Sequence, residues 1–162
     1  MVEFRSILTG LGYTGVATLL NSGNAVFRAA SGTSARHASS IAAALAAHLK
    51  LDVPVMVKSA RELAAIVAEC PIKADPSDHS RFLVAFVQEP KALAGLASIE
   101  RLVAPPEEFG IGSQAAYLLC AAGILESKAG EALLGKVGQS VTTRNWATVL
   151  KLQALAASKT TG

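Results

Sequence analysis

The chain has 162 residues, 51% hydrophobic and 17% charged, enough to bury a sizeable core as one compact domain or two small subdomains. Its mean hydropathy is +0.41, yet much of that is alanine and no run reaches the roughly 18 apolar residues that span a bilayer, which argues against a membrane partner. The net charge of +3 comes from 15 basic residues scattered among 12 acidic ones, without the dense basic stripe of a nucleic-acid binder.

Phe4, Ile7, Leu8 and Leu11 recur at helical spacing and Gly10 with Gly12 closes the segment, predicting a first helix over residues 2–11. Val16 to Leu20 and Ala25 to Ala29 are β-compatible runs around Asn21-Ser22-Gly23-Asn24, which reads as a hairpin. A loop at Ser31 to Ser34 hands over to a long alanine-rich helix with Ile41, Leu45 and Leu49 along one face. Val53 to Lys58 is expected as a strand, with Pro54 marking an edge or entry position. Ser59 and Glu62 have capping-box spacing ahead of a helix that carries Leu63, Ile66 and Val67 inward and stops at Pro71.

The polar stretch from Lys73 to Ser80 is the expected subdomain boundary. Beyond it come a strand over Phe82 to Val87 and a helix from Lys91 to Ser98 with Pro90 in its first turn. Ala115 to Cys120 and Ile124 to Glu126 flank Ala121-Ala122-Gly123 as a second expected hairpin. Helices are expected from Lys128 to Lys136 and from Asn145 to Ala157, before a frayed tail. Strands and helices alternate, and each half holds a hairpin, which fits α+β better than a doubly wound parallel sheet. The expected architecture is two ferredoxin-like, split βαβ subdomains with antiparallel sheets, over residues 1–72 and 73–162. The first lacks its opening strand, because Met1 falls almost at the start of the first helix.

No basic, continuous apolar leader is visible at the N-terminus, and Cys70 and Cys120 sit beside apolar residues with no second cysteine at metal-ligand spacing. They read as reduced, buried thiols in a cytoplasmic protein, with a disulfide between them as the alternative.

Gly10-Leu11-Gly12-Tyr13-Thr14-Gly15 spells the dinucleotide fingerprint, but it follows a helix and precedes a strand, the reverse of the order that faces a helix N-terminus to a pyrophosphate. Gly130 to Lys136 nearly spells a phosphate loop, then fails at Val137, where a hydroxyl must meet magnesium. His37 and His48 share a helix face but stand roughly 16 Å apart along its axis, too far to share an ion. Asp75, Asp78, His79 and Arg81 crowd one polar loop whose acidic residues serve turns. No metal or cofactor is therefore assigned. Local sequence assembles no nucleophile, base and orienting acid, so catalytic residues are unassigned and a triad brought together by the fold stays open.

Two polar clusters remain, Asn21-Ser22-Gly23-Asn24 and Thr142-Thr143-Arg144-Asn145-Trp146. In their structural reading, Asn21 and Asn24 satisfy turn backbone, Gly23 supplies positive φ, Thr142 or Thr143 caps the last helix and Trp146 fills core. In their functional reading, a helix N-terminus with Arg144 beside a loop of small hydrogen-bonding side chains makes an anion or carboxylate site. The candidate ligand-binding residues are Asn21, Ser22, Asn24, Thr143, Arg144 and Asn145.

On these residues the chain resembles the bacterial domain-of-unknown-function family 1697, whose members carry Leu-Asn-Ser-Gly-Asn-x-Val-Phe early and Thr-Thr-Arg-Asn-Trp before the last helix. Further matches are Val55 to Ser59 with Glu62-Leu63, the strand around Phe82, Tyr117-Leu118, Gly123, Ser127-Lys128 and Thr148 to Leu152. The resemblance implies two ferredoxin-like α+β subdomains and assigns no reaction. Two positions depart from it: the family's usual opening strand and Gly-rich turn are missing ahead of the first helix, and Ala147 stands where an asparagine is common. Met1 is then read as an internal methionine or a shortened gene start; the alternatives are a gap filled by a partner chain or by direct re-pairing.

The leading functional expectation is a small cytosolic protein that binds a small anionic ligand near Asn21 to Asn24 and Thr143 to Asn145. A nucleic-acid accessory module is the second, weakened by an aromatic content of 5% with no strand interleaving aromatic and basic residues. Self-association through exposed sheet edges is the third.

Overall fold

The computed structural model describes residues 2–19, 23–135, 137, 138 and 140–160. The protein is α+β, with an antiparallel two-stranded sheet and an antiparallel four-stranded sheet among these residues. It divides into two compact units, residues 1–60 with 150–162, and residues 61–149. The division falls upstream of residue 72, and the polar stretch 73–80 lies inside the second unit.

In the first unit, α1 (Val2–Gly10) buries Leu8 completely. It ends as its glycines require: the Gly12 amide donates to the Thr9 carbonyl at 3.0 Å and the Tyr13 amide to the Leu8 carbonyl at 3.3 Å, with Gly12 at φ +94°. This is the Schellman closure, and Leu8 and Tyr13 make the apolar contact that accompanies it. The dinucleotide-like glycines are thus a helix stop. β1 (Thr14–Leu19) and β2 (Asn24–Arg28) pair antiparallel, with Leu19 opposite Asn24 and Gly23 at φ +76° in the turn. α2 (Ser34–Leu49) begins where the Thr33 hydroxyl accepts the Arg36 amide at 3.2 Å, and lays Ile41 and Leu45 on Leu8 and Tyr13.

Val53 to Lys58 forms no strand among the described residues, which corrects the sequence expectation. Its alternating valines do point Val55 and Val57 onto the core. A strand is completed by a neighbour's ladder, however, and Pro54 brings no amide to one. α3 (Ala60–Glu69) starts directly after Ser59 and turns Leu63 and Ile66 inward, as expected.

In the second unit a 3-10 turn over Pro76–Arg81 leads into β3 (Phe82–Phe86), which runs on through a long 3-10 segment, Pro90–Leu102, in place of the shorter helix expected there. β4 (Glu108–Ile111) and β5 (Ala115–Leu119) form the second hairpin. This too is a correction: Ile124–Glu126 is a 3-10 turn rather than a strand, and the partner of β5 lies upstream. α4 (Lys128–Leu134) follows, with the Ser127 hydroxyl accepting the Gly130 amide at 2.9 Å, so the phosphate-loop lookalike is helix through Leu134. β6 (Thr142–Asn145), unforeseen in the sequence, leads directly into α5 (Trp146–Thr160).

The strand order is β4-β5-β3-β6 with every neighbour antiparallel. One face carries Leu83, Ala85, Ala116 and Leu118 against Leu96 and Ile99 of the 3-10 segment and Leu133 of α4. The other face carries Phe82, Val84, Phe86 and Tyr117, all buried. There the Tyr117 hydroxyl donates to the Ile66 carbonyl of α3 at 2.6 Å. Both faces of β3 and β5 are covered, which is why these strands read as unbroken apolar runs in the sequence.

Candidate functional site

β6 is an edge strand, and its register decides what its polar residues can do. Thr143 lies opposite Ala85 and Asn145 opposite Leu83, whereas Arg144 lies opposite Val84. Residues directly opposite share a face. Thr143 and Asn145 therefore belong to the face of Leu83 and Ala85, and Arg144 to the face of Val84 and Tyr117. The period of two splits the contiguous trio that the sequence presents as one cluster.

Asn145 has a backbone role. Its Oδ1 accepts the Thr148 amide at 2.9 Å, closing the first turn of α5, so the cap is Asn145 where Thr142 or Thr143 was expected. Both threonines are strand residues, paired with Phe86 and Ala85. Trp146 is half-buried and stacks on Phe82 with ring centroids 5.0 Å apart and planes 25° from parallel. Nothing short of the pairing of β3 with β6 marks that contact in the sequence.

Arg144 is half-buried, and its Nη1 donates to the Thr143 carbonyl at 2.7 Å. Burial pulls its pKa below the usual arginine value, because a half-covered guanidinium loses hydration. It remains a cation at neutral pH. Next to it, the head of α5 brings backbone amides and the positive end of the helix dipole. A guanidinium beside a helix head can attract a carboxylate or phosphate.

The other cluster belongs to the first unit. Asn21 and Ser22 lie outside the described residues. Asn24 is 5% exposed, and its Nδ2 donates to the Leu19 carbonyl at 3.3 Å across the hairpin end. That is the turn-closing part of its structural reading.

Elsewhere, Arg81 and Asp78 form an ion pair within the polar loop. Among the described residues no group of three His, Cys, Asp or Glu side chains is placed to hold a metal ion, and no helix is long and apolar enough to cross a membrane. Both cysteines are free thiols; Cys120 is buried as expected, but Cys70 is only half-buried, with its Sγ donating to the Ile72 carbonyl at 3.3 Å. Burial pushes both thiols up in pKa.

A family model described as a protein of unknown function, DUF1697, matches residues 1–117. Among solved structures, a conserved bacterial protein from Streptococcus pneumoniae is similar with a TM-score of 0.79 at 21% sequence identity. The alignment covers 96% of this chain and 88% of that one, and at this identity the likeness shows the fold. None of the curated protein sequences matches the chain.

Proposed function

The chain belongs to the DUF1697 family of proteins of unknown function, and we propose that it binds a small anionic ligand through Arg144 at the junction of β6 and α5. One observation carries this reading: a guanidinium sits half-buried at the edge of a sheet face on which it lies opposite the buried Val84, with Phe82, Phe86 and the inward-bonded Tyr117 also buried on that face. A cation with reduced hydration gains more from a carboxylate or phosphate than an exposed one does, and the arginine fork suits two-point contact with either. The neighbouring helix head adds a field of the same sign. Thr143 and Asn145 support the site through the backbone, by pairing β6 and capping α5. The two free cysteines fit a reducing, cytoplasmic setting. The order β4-β5-β3-β6, with helical segments between β3 and β4 and between β5 and β6, favours a ferredoxin-like assignment for the second unit.

A thermal-shift panel of inorganic phosphate, nucleotides, sugar phosphates and carboxylates tests the proposal. At a ligand concentration 100-fold above its dissociation constant, binding stabilises the folded protein by about 2.7 kcal/mol. Arg144→Ala should keep the fold and abolish that shift, and Arg144→Lys should keep only part of it. A panel in which no anion stabilises the wild-type protein overturns the reading, as does an undiminished shift in Arg144→Ala.

Nucleic acid is the poorer alternative for the second unit. Phe82, Phe86 and Tyr117 are buried, so these aromatics of the sheet offer no platform on which bases stack.

A further inference from the structure

We draw no further inference here: the strongest candidate, the open groove between α1 and α2 of the first unit, floored by Ile7 and Ala44 and flanked by Ser6, Leu11 and His48, is a half-apolar face with nothing in the structure to show what covers it.

Discussion

The two units bury their apolar residues to different depths. In the second, Leu83, Ala85, Leu96, Ile99, Ala116, Leu118 and Leu133 are among the buried members of one cluster between a four-stranded sheet and its helical layer. In the first, Leu8, Tyr13, Ile41 and Leu45 are buried, while Phe4, Ile7, Val16, Phe27, Val55 and Val57 pack around them only partly covered. The difference follows from the sheets. A strand flanked on both sides and covered on both faces, as β3 is, hides every side chain it carries, whereas two paired strands leave each strand half-exposed. Apolar content alone does not set core depth; the number of strands sharing a ladder does.

The largest test of this contrast is truncation of equivalent sheet residues. Leu118→Ala in the second unit should cost about 3 kcal/mol, through lost burial and the cavity left behind. Val16→Ala in the first unit removes side-chain area that is only partly covered and should cost about 1 kcal/mol. Urea unfolding followed by circular dichroism measures both, and equal losses would break the comparison.

Tyr117→Phe should come next, at about 2 kcal/mol, because it leaves the Ile66 carbonyl without its buried donor. It should also change the response to alkali. Burial, followed by the charges of Glu69 and Cys70, raises the Tyr117 hydroxyl well above the ordinary tyrosine value of about 10. Above that pH the unfolded chain loses a proton that the folded protein keeps, so stability declines as pH rises through the window. Tyr13 in the first unit is also raised by burial and acts in the same direction. Stability curves between neutral pH and pH 11 should therefore fall less steeply in Tyr117→Phe than in the wild type, and parallel curves would refute the assignment.

The smallest effects separate the helix caps. Thr33→Ala at the head of α2 and Asn145→Ala at the head of α5 should each cost about 1 kcal/mol. Amide exchange should rise at Arg36 in the first variant and at Thr148 in the second. An unchanged Thr148 amide would return the cap of α5 to the threonines.

Much of the helical part of this fold is legible in the sequence. Gly10 and Gly12 mark the end of α1, the Ile41 and Leu45 stripe marks α2, and Ser59 immediately precedes α3. The turn at Gly23 and the run at β3 are also readable, one from backbone chemistry and the other from an unbroken apolar stretch. Legibility fails at the sheet edges. β4 and β6 are four residues each and interrupt their β-prone Phe109, Ile111, Thr142 and Thr143 with Glu108, Gly110, Arg144 and Asn145, too short and mixed a pattern to mark a strand, and they are strands because β5 and β3 accept them. The error runs the other way at Val53 to Lys58, where β-prone residues form no strand.

The candidate site divides along the same line. Sequence alone picks out Arg144 as a cation between hydrogen-bonding neighbours ahead of the last helix. It does not reveal that Arg144 shares a face with Val84 and Tyr117 while Thr143 and Asn145 share the other with Ala85 and Leu83. A helix closes its hydrogen bonds within a few residues of itself, so its start, stop and buried stripe are written locally. A strand borrows its bonds from a distant segment, and the register of that pairing decides which side chain meets which face. For this protein, local sequence determined α1 with its glycine stop, the stripes of α2 and α3 and the hairpin turn at Gly23, and tertiary pairing decided the edge strands and the side of the sheet on which its half-buried arginine stands.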